Sequence, residues 1–300
     1  MTYNEFKHNI VTDISCIYGS DHSIIVNTVT KNNNLTLDAL IIQQEDSVMA
    51  PSIYLNGYYP SYCKGELTYK NILASIIQTY ETYKDSAPFD VDSVCNYEAM
   101  KDRIAFKLIN FKKNIELLDS VPFYKYLDLA VVFFLYLISP DGECGSILIN
   151  DSIMESYGIT LEDLRKEAEI NTPKLFPALN QNLKDMLASL SEKSLHECDV
   201  DEVMNAELDM YVLSNAAKTY GAGVILYPNL LSNIADSLGE DFYLIPSSVH
   251  EMLYLPVSSI DDASSINELI QTVNASELTC DEYLSDHYYY YSVSERTLKA

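Results

Sequence analysis

Hydrophobic and polar positions in the first part of the chain predict a helix followed by a β-hairpin. Apolar residues recur three or four positions apart over residues 3–17, which places them on one face of a helix. Apolar and polar residues then alternate over residues 24–29 and 35–41, on either side of an asparagine-rich turn at residues 31–34. Alternation with a period of two is typical of strands, and asparagine tolerates the backbone of tight turns. We expect residues 1–118 to form a helix-plus-hairpin N-terminal region.

Three further elements are predicted within that region. Thr68 is a suitable N-cap for a helix that continues to about Lys84, because the apolar residues of this segment share one side. Residues 85–96 contain a proline and several acidic residues, and they are the best candidate for a linker. Residues 104–111 have the alternating pattern of a strand, whose basic residues we expect on a solvated face.

The second half of the chain predicts a sheet with antiparallel pairing. Residues 127–138 form the longest apolar run, which contains one aspartate and is shorter than the about 20 residues that span a bilayer. This run therefore predicts a buried strand. A strand–turn–strand–helix pattern ends at Gly158 and recurs ending at Gly239, where glycine suits the left-handed residue that follows a helix. Repeated hairpin-plus-helix units favour an α+β fold with a mixed or mainly antiparallel sheet and helices on one face.

Other signals complete this second region, which we expect to span residues 119–300 as an α+β sheet domain. Thr160 and Asp163 have the spacing of a capping box at the start of a helix. Residues 191–209 are polar and acidic, and they predict a solvated excursion from the domain. Residues 287–293 carry four consecutive tyrosines and predict a strand, in which alternate rings face the core.

The net charge of the chain limits its partners. The 44 acidic residues outnumber the 19 lysines and arginines, which gives a formal charge of −25. Direct binding of nucleic acid is not expected, because phosphate backbones require a local excess of basic side chains. The acidity serves solubility or forms a surface for a basic partner, including a surface that mimics nucleic acid. We expect any partner to be another protein, bound through an acidic or tyrosine-rich surface.

The distribution of cysteines indicates a reducing compartment. The six cysteines lie far apart without a Cys-x-x-Cys pair, which is typical of free thiols. The first residues lack the charged and apolar regions of a signal peptide, and no apolar run is long enough to cross a membrane. We therefore expect a cytoplasmic protein that does not associate with a membrane.

Several common enzyme motifs are absent from the sequence. The pair Gly221 and Gly223 precedes a predicted strand, whereas a dinucleotide-binding loop follows a strand and opens a helix. The chain has no phosphate-binding P-loop, no Gly-x-Ser-x-Gly elbow and no His-Glu-x-x-His zinc motif. We expect no cofactor.

The strongest candidate for chemistry is the turn Pro246–Glu251 between two predicted strands. His250 could act as a general base there, with Ser247 or Ser248 as the nucleophile and Asp286 as the orienting acid. A metal site would instead combine four residues with zinc-ligand chemistry. These four are His250, Glu251, Asp286 and His287. The structural alternative is a turn in which the serines and His250 bond to the backbone, as turn residues usually do.

Several segments together resemble a known family. They are Asn171-Thr-Pro-Lys-Leu-Phe-Pro177, Met210-Tyr-Val-Leu-Ser-Asn215, Val224-Ile-Leu-Tyr-Pro228, Leu238-Gly-Glu-Asp-Phe-Tyr-Leu-Ile-Pro-Ser-Ser-Val-His-Glu251 and Leu284-Ser-Asp-His287. The chain resembles a domain-of-unknown-function family of Gram-positive gut bacteria. It is also distantly similar to YtpQ-like proteins, which share a Pro-Ser-Ser-x-His-Glu turn. The resemblance implies a bacterial cytoplasmic protein and carries over no activity, cofactor or catalytic residue.

Two functional hypotheses follow from the sequence. The first is a non-enzymatic protein-interaction module, since no segment combines a catalytic motif with the spacing that its chemistry demands. The alternative is a hydrolase-like enzyme centred on Pro246–Glu251. The enzyme hypothesis predicts His250 in a concave site within hydrogen-bond reach of a carboxylate or hydroxyl.

Overall fold

The computed structural model describes most of the chain as two compact units. The described residues are 1–45, 50–84, 91–139, 142, 144–186, 209–260, 263–276 and 278–300. The units span Met1–Asp90 and Val91–Ala300. This division does not coincide with the boundary predicted at residue 118, because strand Ile104–Asn110 pairs with strand Leu129–Ile138 in the second unit. Residues 187–208, which include most of the predicted acidic excursion, lie outside the described residues.

The first unit packs two long helices against a three-stranded antiparallel sheet. Its elements are α1 (Tyr3–Tyr18), β1 (His22–Thr30), β2 (Thr36–Gln44), β3 (Ser52–Tyr54), α2 (Tyr58–Cys63) and α3 (Tyr69–Tyr83), with the strands in the order β1-β2-β3. The capping box of Thr2 and Glu5 starts α1, and the Thr68 side chain caps α3 as predicted. Phe6 of α1, Leu40 of β2 and Ile76 of α3 belong to one buried core. The predicted helix-plus-hairpin arrangement is therefore present.

The second unit contains two antiparallel sheets and several helices. Its helices are α4 (Val91–Val94), α5 (Tyr97–Met100), α6 (Ile115–Leu118), α7 (Asp151–Tyr157), α8 (Leu161–Leu175), α9 (Leu230–Leu238) and α10 (Ser264–Ser276). Its strands are β4 (Ile104–Asn110), β5 (Phe123–Tyr126), β6 (Leu129–Ile138), β7 (Cys144–Leu148), β8 (Ala178–Asn182), β9 (Tyr211–Asn215), β10 (Phe242–Ser248), β11 (Glu251–Pro256), β12 (Tyr289–Ser292) and β13 (Thr297–Lys299).

The two sheets of this unit differ in size. One has the order β13-β12-β10-β11-β9-β8, and the other is built on β6, which pairs with β4, β5 and β7. Every strand pair among the described residues is antiparallel. The predicted α+β class with antiparallel sheets is confirmed.

The environment of β4 differs from the prediction. Its residues are buried on both faces apart from Lys107, which is half-buried, so the strand has no solvated basic face. Helix α8 lies against β4 and bonds to its backbone: the Phe106 N–H donates to Thr172 Oγ1, 3.1 Å away, and Asn171 Nδ2 donates to the carbonyl of Ile104. Side chains of α8 therefore form hydrogen bonds with backbone groups at the edge of β4, which would otherwise be open.

The predicted repeat is present only in its first copy. Strands β6 and β7 form a hairpin, and α7 ends at Gly158, which has the expected left-handed conformation. In the second copy, a strand was predicted at Val224–Tyr227, but Val224, Ile225 and Leu226 belong to a buried 3₁₀ segment, Gly221–Leu226. Helix α9 nevertheless ends as expected at left-handed Gly239. A short apolar run does not by itself distinguish a strand from another buried conformation, and here tertiary packing decides.

Candidate functional site

His250 lies in the turn between β10 and β11, and its ring bonds to the backbone of another segment. Nδ1 of His250 accepts a hydrogen bond from the Tyr220 N–H at 3.2 Å, and the two rings stack with their centroids 5.8 Å apart. The other ring nitrogen, Nε2, is 4.0 Å from Oε1 of Glu282, and about 35% of the side chain is exposed. His250 thus has one carboxylate near a partly exposed nitrogen, while its other nitrogen holds the turn in place.

No hydrogen bond among the described residues joins either candidate nucleophile to the His250 ring. Ser248 Oγ accepts a hydrogen bond from the His250 N–H at 3.0 Å, and Ser247 Oγ donates to Oε1 of Glu251 at 3.1 Å. The register of β10 against β11 shifts between Pro246 and Ser248, so the strand is irregular at this point. Both serines therefore stabilise the irregular end of β10, and only residues 249–250 form the turn that was predicted over Pro246–Glu251.

Gly221 allows this turn to approach the 3₁₀ segment closely. A Cβ atom on Gly221 would lie 2.1 Å from Ser214 Oγ and 2.3 Å from the His250 carbonyl oxygen. Ser214 Oγ also donates to that carbonyl at 2.7 Å. Tyr220 has a left-handed backbone, with φ of 53°, and its ring lies 4.1 Å below the Lys107 ammonium group. Sequence reasoning treated Gly221 only as a failed nucleotide-binding motif and missed this packing role.

Asp286 and His287 belong to a second cluster, which is centred on Asp128. His287 Nδ1 is 3.2 Å from Oδ1 of Asp286, and His287 Nε2 is 3.7 Å from Oδ1 of Asp128. Asp128 also accepts hydrogen bonds from the Tyr289 hydroxyl at 2.6 Å and from Ser285 Oγ at 2.9 Å. Burial raises the pKa of the Tyr289 phenol, and the neighbouring Asp128 raises it further. The signal for this cluster in the sequence was the single acid inside the apolar run of residues 127–138.

The geometry of the second cluster also places Ser285 in a structural role. Ser285 is almost fully buried and donates its proton to Asp128. Its oxygen is 3.2 Å from His287 Nδ1, and a hydrogen bond between the two requires the proton on Nδ1 as long as Ser285 donates to Asp128. A protonated Nδ1 cannot accept the serine proton, which a general base in a hydrolase must do.

The candidate residues therefore lie in two groups. No hydrogen bond or ion pair in the described part of the chain joins His250 to Asp286 or His287. Among the described residues, no three His, Cys, Asp or Glu side chains are placed to hold a metal ion. The catalytic and metal arrangements proposed from the sequence both combined residues of these two groups.

Strand β1 forms an open edge of the sheet in the first unit. It pairs with β2 over nine residues without a register shift and contains no charged residue and no proline. Backbone hydrogen bonds from Lys31 to Leu35 and from Glu45 to Asp21 flank this ladder in the same register. Odd-numbered residues of β1 therefore bond to β2, and the N–H and C=O groups of Ile24, Val26 and Thr28 point to the open side.

The open side of β1 is accessible. Ile25 is 43% exposed, and Asn27 and Thr28 are also exposed. No backbone hydrogen bond among the described residues uses the outward groups of the strand. Proteins usually protect such an edge with charges, prolines, bulges or a covering element, and β4 has its covering helix.

Among the described residues, the fold and these surfaces define an α+β protein in which β1 is an open strand edge and His250 and Asp128 lie in separate polar side-chain clusters. The chain belongs to a family of unknown function, DUF5688, whose model matches residues 3–293. No curated protein and no solved structure matches the chain. Within the described residues, no helix has both the length and the apolar character needed to cross a membrane.

Proposed function

We propose that this protein is a non-enzymatic protein-interaction module that binds an extended segment of a partner along β1. The observation that carries the proposal is the nine-residue, uncharged, bulge-free edge with outward-pointing backbone groups. An added strand would satisfy these groups with main-chain hydrogen bonds, and alternate side chains would supply specificity. Unprotected backbone groups tend to pair with other chains, which is normally a disadvantage. A binding function would explain why this edge is left unprotected.

The charge of the chain favours a particular kind of partner. The net charge of −25 makes two copies of the chain repel each other at low ionic strength, whereas a basic protein is attracted. The proposed partner is therefore a protein segment with alternating apolar residues and basic flanks. The uncharged β1 supplies the hydrogen-bonded seam, and the acidic surface supplies the attraction.

The compartment forms part of the same proposal. Four exposed cysteines in the described residues form no disulfide bond, namely Cys16, Cys63, Cys95 and Cys144, and Cys280 is also exposed. Exposed thiols persist in a reducing compartment, which supports the bacterial cytoplasm as the place of action. The resemblance to proteins of Gram-positive gut bacteria and to YtpQ-like proteins points the same way.

A proline substitution at the edge of β1 tests the proposal. Thr28→Pro removes one outward N–H, and the matched control Thr28→Val keeps it, while both lose the 2.9 Å hydrogen bond from Thr28 Oγ1 to Asp38. We expect affinity purification from the native cells to recover a stoichiometric partner with the wild type and with Thr28→Val, but not with Thr28→Pro. Hydrogen exchange should show that the amides of Ile24 and Val26 become protected when the recovered partner is added.

Two results would contradict the proposal. Recovery of the monomer alone would mean that no partner binds. Equal recovery of the partner by Thr28→Pro and by the wild type would mean that binding does not use the β1 edge. Thermal unfolding of both variants checks that the first unit remains folded.

One observation favours the alternative function, a hydrolase centred on Pro246–Glu251. His250 is partly exposed, and its Nε2 lies 4.0 Å from the Glu282 carboxylate. Because Nδ1 accepts from the Tyr220 N–H, the neutral ring carries its proton on Nε2, and the Glu282 carboxylate is the group of this pair that can activate water. Hydrolysis of 4-nitrophenyl acetate above the background rate, lost in His250→Gln and retained in the control His8→Gln, would support an enzyme. Equal rates for both variants and the buffer would remove this alternative.

A further inference from the structure

A cleft in the second unit contains polar groups that neither functional hypothesis uses. Its volume is about 530 Å³, which lies in the range of sites for small molecules. The first turn of α9 forms one wall, Arg296 and the start of β13 form another, and Tyr126 and Tyr291 contribute aromatic rings. Neither β1 nor the clusters of His250 and His287 contribute to this lining.

Two groups of hydrogen-bond donors line the cleft, the Arg296 guanidinium and the N–H groups at the start of α9. Arg296 lines it and uses Nη2 for an ion pair with Asp236 at 3.1 Å, while a guanidinium has five N–H donors in all. Helix α9 begins after Asn229, which has φ of 61° and makes no capping hydrogen bond. The N–H groups of the first turn lack partners within a helix, and here Leu231 and Ser232 of that turn line the cleft.

A third feature, independent of the helix, also indicates a ligand. Tyr291 is only 4% exposed and lines the cleft, and its hydroxyl makes no hydrogen bond with the described residues. The ring is fixed by stacking on Phe242, with the centroids 5.0 Å apart. The hydroxyl is not one of the buried polar atoms that lack a partner, so it is accessible from the cleft and available to a ligand atom placed there.

Tyr126 adds a second phenol near the first. Burial raises the pKa of Tyr126, and the neighbouring Tyr291 raises it further. Tyr126 is therefore protonated at neutral pH and can donate a hydrogen bond. Arginine, phenols and the start of a helix are all donors, and together they suit an acceptor with negative charge.

We propose that this cleft binds a small organic molecule with a single oxyanion group, either a carboxylate or a phosphate. The oxyanion contacts Arg296, the first turn of α9 and the Tyr291 hydroxyl. The apolar body of the ligand packs against Leu231 and the tyrosine rings. Asp236 beside Arg296 disfavours ligands with several negative charges. The site is separate from β1, so this inference does not depend on the proposed interaction with a protein.

Four probes test the ligand chemistry by calorimetry and by amide shifts of Leu231 and Ser232. They are benzoate, phenyl phosphate, inorganic phosphate and the neutral benzyl alcohol. We expect benzoate or phenyl phosphate to bind more tightly than both inorganic phosphate and benzyl alcohol, because only they combine the charge with an apolar body. Binding of benzoate alone would identify a carboxylate ligand, and binding of phenyl phosphate alone would identify a phosphate ester.

Variants test the residues. Arg296→Gln should weaken binding by about tenfold or more, in line with the loss of a charge-assisted hydrogen bond. The matched control Arg165→Gln removes another exposed, ion-paired arginine and should leave binding unchanged. Tyr291→Phe should weaken binding by about threefold to tenfold without lowering Tm, because its hydroxyl has no partner in the protein.

The proposal is overturned if no probe binds at millimolar concentration, or if benzyl alcohol binds as tightly as the anions. It is also overturned if Tyr291→Phe and Arg296→Gln both bind like the wild type. Should Arg296→Gln fail to fold, the result for Tyr291→Phe decides, because that variant retains all protein hydrogen bonds.

Discussion

At the scale of single residues, Gly221 controls how closely the His250 turn approaches the rest of the fold. A side chain at this position would meet a backbone carbonyl oxygen at 2.3 Å, and backbone atoms do not move aside as the end of a flexible side chain does. Gly57, in contrast, has a negative φ and open space where a Cβ would lie.

This contrast gives a testable prediction. Gly221→Ala should lower the free energy of unfolding of the second unit by about 1–3 kcal/mol or more, the range for overpacking a well-packed site. Gly57→Ala should change stability by less than about 0.5 kcal/mol, as for surface substitutions. Urea denaturation followed by circular dichroism measures both. A Gly221→Ala variant as stable as the wild type would contradict this prediction, and a changed His250 resonance in that variant would mean that the turn shifts at little cost.

Asp38 is the second residue whose role depends on its contacts. It is buried in β2 and accepts hydrogen bonds from Lys7 Nζ at 2.8 Å and from Thr28 Oγ1 at 2.9 Å. The Lys7 ammonium group, followed by the Thr28 hydroxyl, lowers the pKa of this carboxyl. Because the pKa is lower in the folded state, Asp38 adds stability above the ordinary range of about 4 and loses it as pH falls through the folded value.

We therefore expect Asp38→Asn to be less stable than the wild type at pH 7, by about 1–3 kcal/mol for hydrogen bonds to a charged group. The difference should shrink as pH falls from about 4 toward the lower pKa of the folded state, because the unfolded chain takes up a proton on this carboxyl before the folded chain does. Glu66→Gln is the control, since Glu66 is exposed and has only a 3.9 Å contact with Lys64. A difference that stays constant from pH 7 to pH 3 would show that the charge of Asp38 is not what stabilises the sheet.

At the scale of elements, α8 determines that the edge of β4 is closed. The Phe106 N–H has its acceptor in Thr172, a residue 66 positions away. Thr172→Val should cost about 1–3 kcal/mol, because it leaves a buried N–H without a partner while the volume is kept. Thr172→Ser retains the hydroxyl and should recover most of that loss. Urea denaturation of the two variants distinguishes the hydrogen bond from the packing of the methyl group, and equal losses would contradict this assignment.

The elements that the sequence predicted correctly have local causes. α1 and α8 follow from apolar spacing and capping boxes, and the β1–β2 hairpin follows from alternation around a turn. The sequence could not reveal that Gly221–Leu226 is a 3₁₀ segment, because its conformation depends on contacts with β9 and the His250 turn. The prediction of a solvated face on β4 was wrong for a similar reason, since the helix α8 that covers this strand is distant in the chain.

The candidate site shows the same limit more strongly. His250 and Ser248 lie close together because they are neighbours in sequence, but Ser248 belongs to β10 and only residues 249–250 form the turn that was predicted over Pro246–Glu251. Their actual partners, Tyr220, Ser214 and Glu282, come from other segments, and no local pattern marks them. The residue types indicated which chemistry was possible, while the hydrogen-bond partner of each residue depended on the fold.

At the scale of the whole molecule, two properties of the chain oppose each other. The β1 edge favours pairing with any extended strand, including β1 of a second copy. An antiparallel β1–β1 pair could be centred on Val26, so that Ile24 of one copy faces Thr28 of the other. The net charge of −25 on each copy opposes that pairing through repulsion over a distance set by ionic strength.

The balance predicts an effect of salt on self-association. At low salt the wild type should sediment as a monomer, because repulsion between the copies is weakly screened. In 1 M NaCl the screening length falls to about 3 Å, and the wild type should then form dimers through β1. Thr28→Pro should remain monomeric at both salt concentrations, while Thr28→Val should follow the wild type. Dimers of Thr28→Pro at high salt would place the contact elsewhere. A wild type that stays monomeric in 1 M NaCl would show that the edge itself does not favour strand addition, which would weaken the proposed function directly.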